Sequence, residues 1–239
     1  MKFLGETTRI PVLWARKLIR IILRYRVLDR IQVDCPIERI GSNYGGWTIC
    51  PTKVNRESIV YSFGVGEDIS FDLGIIDRYD LQLYAFDPTP RSIAWVKAQS
   101  LPPNLHFYDY GITDFDGTAS FFPPAQVEHV SHSILRQSHN TACSIQVPVR
   151  RLSTIMRELG HTHLSILKMD IEGAEYAVID DMLRCNITPS QILVEFHHRF
   201  ENAGIRKTIN VIRRLNKHAY RIFSISPNCE EYSFILRQS

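Results

Sequence analysis

Between residues 58 and 218 the chain alternates short runs rich in β-branched and aromatic residues with longer amphipathic ones, and nothing else in it restricts the fold so tightly. Strand-like runs at 58–65, 81–87, 105–110, 164–170 and 191–197 are separated by helix-like stretches at 67–79, 89–99, 152–159, 174–184 and 205–218. Repeated strand, helix, strand order demands right-handed crossovers, and these build a mostly parallel sheet with helices on both faces. Two further runs, 220–226 and 231–236, lie too close in sequence for a crossover and are expected to pair antiparallel. The expected fold is therefore α/β, a mostly parallel sheet closed by an antiparallel C-terminal hairpin. One long interval, 111–149, interrupts the alternation. Asp116-Gly117 reads there as the turn of a short hairpin, followed by a polar loop with His129, His132 and His139, long enough to cover a site.

Ahead of this body, residues 1–40 form a distinct extension and residues 41–239 the folded domain. Residues 1–30 carry eight basic and two acidic side chains, net +6, whereas the whole chain is only +3. The body is thus mildly acidic and offers no nucleic-acid footprint. Leu13, Trp14, Leu18, Ile21, Tyr25 and Leu28 recur at helical spacing, with Arg16, Arg20 and Arg24 on other faces. Such a basic amphipathic helix over 10–30 suits either a peripheral contact with an anionic membrane or docking on protein, including a homodimer. Arginines interrupt every window long enough to span a bilayer, and no small-residue cleavage site follows, so the cytoplasm is the expected compartment. Five cysteines (Cys35, Cys50, Cys143, Cys185, Cys229) at irregular spacing suggest reduced thiols rather than a disulfide framework or a thiolate zinc site.

Chemistry-bearing residues gather where strands end. The first strand runs into Gly64-Val65-Gly66-Glu67-Asp68, a glycine turn through which a ligand can approach the backbone. The dinucleotide fingerprint would place a third glycine at position 69, where this chain has Ile69, and two carboxylates at a helix start repel a pyrophosphate. A nicotinamide-dependent oxidoreductase is therefore disfavoured, and a cationic ligand is welcome. The second strand ends at Asp87, followed by Pro88, where a carboxylate can accept hydrogen bonds from a ribose diol. The fourth opens into Asp170-Ile171-Glu172-Gly173-Ala174-Glu175, and the fifth delivers Glu195, His197 and His198 to the same edge. Crowded carboxylates of this kind require solvent, a cation or a basic partner.

Four segments together resemble the FkbM-type family of S-adenosylmethionine-dependent methyltransferases: 61–72 (YSFGVGEDISFD), 86–90 (FDPTP), 167–175 (LKMDIEGAE) and 192–197 (ILVEFH). The resemblance covers about residues 41–236, and Asp-Ile-Glu-Gly-Ala-Glu is its most distinctive part. Asp87 departs from it, since many members carry Glu there, but the carboxylate is kept. The resemblance implies a class I, Rossmann-like methyltransferase sheet of seven strands whose last strand is antiparallel. It implies S-adenosylmethionine as cofactor, with Gly64 and Gly66 at its methionine portion, Glu67 and Asp68 suiting its positive charges, Asp87 and Pro88 at the ribose, and Tyr110, Gly111 and Ile112 near the adenine.

Methylation of a hydroxyl needs positioning and a general base. Asp170 and His197 are the candidates for that base, with Glu172, Glu175 and Glu195 as orienting neighbours. No metal is assigned, although Asp170, Glu195 and His197 could converge on a hard divalent ion. The acceptor class, a hydroxyl of a sugar, glycolipid or other small metabolite, comes from the resemblance alone. A catalytically inactive cofactor-binding scaffold, or a membrane-associated interaction protein, is the alternative.

Overall fold

The computed structural model describes residues 30–122, 144–198 and 204–237. The helix expected over 10–30 and the polar loop with its three histidines lie, but for Arg30, outside these residues.

Each core strand alternates its side chains between two apolar layers, as a sheet covered on both faces requires. In β3 (Ile59–Phe63) Tyr61 and Phe63 enter one layer and Val60 the other, and β4 (Gln82–Phe86) sends Phe86 one way and Leu83 and Ala85 the other. β9 (Ile166–Met169) and β10 (Gln191–Glu195) repeat the pattern with Leu167, Met169, Ile192 and Val194 against Ile166 and Leu193. With β5 (Leu105–Tyr108), β11 (Tyr220–Ile225) and β12 (Glu231–Leu236) these form a seven-stranded sheet in the order β11-β12-β10-β9-β3-β4-β5. β12 runs antiparallel to both β10 and β11, and the pairs among β10, β9, β3, β4 and β5 are parallel. The terminal hairpin is therefore present, and its last strand is inserted into the sheet rather than added at the edge.

Among the described residues five α-helices cover the sheet: α1 (Ser70–Tyr79), α2 (Pro90–Lys97), α3 (Leu152–Glu158), α4 (Glu175–Arg184) and α5 (Gly204–Lys217). α1 begins at Ser70 rather than at residue 67, because Asp68 accepts the Ser70 N–H at 2.8 Å and holds the preceding residues in a turn. Among the described residues no helix is long and apolar enough to cross a membrane.

The interval after the third core strand differs from the expected hairpin. β6 (Gly111–Ile112) and β7 (Gly117–Phe121) do not pair with each other; each pairs with β8 (Ile145–Arg150), which lies between them. The reason is local: Asp116 accepts the Arg151 N–H and the Thr154 hydroxyl at 2.9 and 2.8 Å, so the turn is spent on starting α3. Residues 30–40 are also tied to the body. Gln32 and Val33 donate to the Ile222 carbonyl, and β1 (Glu38–Ile40) pairs with β2 (Trp47–Ile49).

Candidate active site

The carboxyl ends of β3, β4, β9 and β10 open onto one cavity of about 760 Å³, where open α/β sheets bind ligands. Gly64 and Gly66 form its floor with φ of +72° and +57°, values that an L side chain adopts only with strain. A Cβ on Gly64 would stand 1.7 Å from the Asp170 carbonyl oxygen, so only glycine lets β3 and β9 meet there. A Cβ on Gly66 would meet nothing within 4 Å. Ile69, where a dinucleotide fold would have its third glycine, is buried in the core.

The two acids of the glycine turn already have partners. Arg91 donates to both oxygens of Glu67 at 2.8 and 2.7 Å. Burial opposes ionisation of Asp68, yet hydrogen bonds from Ser70 and Ser42 hold its carboxyl below the usual range. Both nonetheless line the cavity, Glu67 as half of an ion pair and Asp68 as a carboxylate held only by neutral hydrogen-bond donors. Asp87 is buried and accepts the Gly66 N–H at 3.0 Å on Oδ2 and the Thr89 N–H and hydroxyl at 2.9 and 2.7 Å on Oδ1. It is thus both the clasp of the glycine turn and a turn-former ahead of α2. Since each carboxylate oxygen has two acceptor sites, Oδ2 keeps one for a ligand hydroxyl. Pro88, Gly111 and Ile112 line the same cavity, whereas Tyr110 packs in the core beneath the Arg150 guanidinium, 4.6 Å from its ring centre.

The acidic end of the cavity is built from β9, β10 and the turn between β9 and α4. Asp170, Glu172 and Glu195 line it, and His197 is buried behind them. Glu172 sits at φ +50°, a left-handed conformation rarely held without a reason, and its carboxylate lies 3.3 Å from His197 Nε2. Asp170 Oδ1 is 3.7 Å from the same nitrogen. On the other side, Glu175 is fully buried; its Oε1 accepts the His197 N–H at 2.9 Å and faces Nδ1 at 3.3 Å, and its Oε2 accepts the Gly173 N–H. Burial opposes protonation of His197, but the Glu175 hydrogen bond and the charges of Glu175, Glu172 and Asp170 raise it to about 10. Burial first, and the charge of Asp170 next, push Glu195 up to about 8. At neutral pH His197 is therefore a cation holding carboxylates in place and Glu195 a neutral acid.

Several lining residues carry no sequence signal of their own. Lys168 is buried, donates to the Phe63 and Gly64 carbonyls at 3.3 and 2.9 Å, and lies 5.7 Å from the Trp47 ring centre. Trp47 and Tyr44 come from the β1–β2 hairpin, and Asn228 and Glu231 from the β11–β12 hairpin. Tyr44, Trp47, Asn228 and Glu231 reach the cavity through contacts between elements distant in sequence, which no local pattern announces, whereas Lys168, within the quoted segment 167–175, is marked by being a lysine in an otherwise apolar strand.

A family model described as the methyltransferase FkbM domain matches residues 40–222. The chain belongs to this family. Within it, the FkbM domain is 24% identical over 180 residues to probable methyltransferase-like protein 24 of Homo sapiens and 22% identical over 182 residues to the protein of the same name from Rattus norvegicus. Those alignments cover 71% and 70% of this chain but 43% of each relative, so the chain spans less than half the length of the curated relatives it matches. A crystal structure of methyltransferase FkbM from Methylobacillus flagellatus shares the fold, with a TM-score of 0.50 at 12% identity over 76% of this chain and 44% of that one. The glycine turn, Asp87 and the Asp170–Glu175 segment all fall inside the matched FkbM domain.

Proposed function

We propose that this FkbM domain is an S-adenosylmethionine-dependent O-methyltransferase acting on a hydroxyl of a small-molecule or glycan acceptor, with Asp170 as the base. The observation that carries the reading is that one cavity joins the glycine turn and Asp87 to the carboxylates of Asp170 and Glu172. The residues fit the cofactor: the open side of Gly66 leaves room for a ligand, Oδ2 of Asp87 has an acceptor site for a ribose hydroxyl, and Asp68 supplies a carboxylate for an ammonium group. Gly111 and Ile112 would flank the adenine, and Glu67 and Pro88 complete that half of the cavity. When bound, the cofactor supplies an electrophilic methyl group on a sulfonium.

The chain's own work is to orient the acceptor and remove its proton. His197, held positive by Glu175 and its neighbours, is unsuited to act as a base at neutral pH, which leaves that role to the cavity-facing carboxylate of Asp170. Glu195, neutral at that pH, can donate a hydrogen bond to the acceptor. The test is incubation with cofactor carrying a ¹³C-methyl group and a panel of glycosides and hydroxylated metabolites, read by NMR for methyl ethers. A labelled ether with wild type, reduced about 10²- to 10⁴-fold in Asp170→Asn, is expected of a general base. Label on nitrogen or sulfur alone, or equal transfer by Asp170→Asn, would overturn the assignment.

A further inference from the structure

We infer that Asp170, Glu172 and His197 form a binding site for a divalent cation of the Mn²⁺ or Mg²⁺ type at the acidic end of the cavity. The three side chains each offer one ligand atom, and these atoms lie within 4.8 Å of one another. Nε2 of His197 is 3.3 Å from Glu172 Oε2 and 3.7 Å from Asp170 Oδ1. An octahedral cation with bonds of about 2.1 Å holds adjacent donors about 3 Å apart, so the two histidine–carboxylate separations need to close by less than about 1 Å.

The site is more than a crowd of acids, because a buried histidine stands in it and is aimed from outside. Glu175 is fully buried and pinned by the Gly173 N–H, and it faces Nδ1 of His197, leaving Nε2 turned toward the other two carboxylates. A carboxylate behind a histidine is the arrangement that fixes ring orientation and raises basicity at metal centres. Glu175 stands at the start of α4, while Asp170 and His197 follow two adjacent parallel strands, so the donors are placed by the sheet. One imidazole and two carboxylates suit a hard to borderline cation such as Mn²⁺ or Mg²⁺ and leave positions for water or substrate. Asp170 and Glu172 line the cavity, so a cation held by them would be reached from the cavity side.

This set differs from the one expected from the sequence, since Glu172 replaces Glu195 as the third donor. On binding, Nε2 gives up its proton to solvent and ligates as neutral imidazole. If the methyltransferase reading of this cavity holds, the cation lowers the pKa of the acceptor hydroxyl, and the second oxygen of Asp170 remains to take its proton.

The test is titration of the full chain, without cofactor, with Mn²⁺ followed by electron paramagnetic resonance, together with electron spin echo modulation to detect a coordinated nitrogen. We expect one site with ¹⁴N modulation, competed by Mg²⁺, weakened at least about tenfold in Glu172→Gln and Asp170→Asn, and lacking the nitrogen signal in His197→Gln. Asp77→Asn, an exposed acid on α1, leaves affinity unchanged. Circular dichroism separates unfolded variants from site variants, and if Glu172→Gln fails to fold, the nitrogen signal of wild type alone decides. No binding at millimolar Mn²⁺, binding without nitrogen modulation, or affinity indifferent to Glu172 and Asp170 would show an ion-pair cluster only. Because no S-adenosylmethionine is present, failure here leaves the methyltransferase reading to its own experiment.

Discussion

Gly64 and Gly66, two positions apart in one turn, should differ sharply when given a side chain. Gly64→Ala and Gly66→Ala both force an L residue to a positive φ, of +72° and +57°, at a cost of about 1–2 kcal/mol each. Only at Gly64 does the new Cβ overlap backbone, 1.7 Å from the Asp170 carbonyl oxygen, and relieving that overlap moves the end of β9 at a further cost of about 1–3 kcal/mol. Gly64→Ala should therefore lose about 2–5 kcal/mol and Gly66→Ala about 1–2 kcal/mol. Equilibrium unfolding in urea measures both from the midpoints at unchanged slope. The same displacement moves Asp170, so Gly64→Ala alone should also weaken acceptor turnover beyond its loss of cofactor affinity. Equal destabilisation of the two variants, within about 0.5 kcal/mol, would refute the claim that close approach of β3 and β9 is what requires glycine at 64.

Other consequences are independent of the acceptor. His197 is raised from 6.5 to about 10, so its stabilising contribution is complete below pH 6.5 and is lost as pH rises through 10; it is on the order of 5 kcal/mol, and Glu175→Gln should flatten that part of the stability profile in metal-free buffer. Glu195 is raised to about 8, which also makes stability fall as pH rises, between its ordinary value and 8, so Glu195→Gln should raise the urea midpoint at pH 9 more than at pH 5. Asp181, buried and paired with Arg151 at 2.6 Å and Arg184 at 2.5 Å, has its carboxyl held low by these partners despite its burial. Its contribution is present above its ordinary value and lost as pH falls through the lowered one, and Asp181→Asn should cost about 3 kcal/mol in thermal or urea unfolding at pH 7.

The sheet and the end at which its cavity opens are legible in the sequence because both follow from period and punctuation. Runs such as 58–65 and 191–197 are short, apolar and bounded by turn residues, and a strand that ends in Gly64-Val65-Gly66 or Asp87-Pro88 announces itself. What escaped was set by tertiary contacts. Asp116-Gly117 has the local signature of a hairpin, but the carboxylate of Asp116 is taken by Arg151 and Thr154, and β7 pairs instead with β8. His197 reads as a base by residue type, yet three carboxylates around it turn it into a cation. Lys168 and Trp47, separated by more than a hundred positions, share the cavity because β2 packs against the sheet.

The central claim is that the glycine turn and Asp87 form a sulfur-nucleoside site. Calorimetric titration of the chain with S-adenosylmethionine, S-adenosylhomocysteine and NAD, repeated on Asp87→Ala, tests it most directly. Binding of the two sulfur nucleosides, no binding of NAD, and loss of the former in Asp87→Ala while the variant stays folded are expected. Binding of NAD alone, or sulfur-nucleoside affinity untouched by Asp87→Ala, would contradict it.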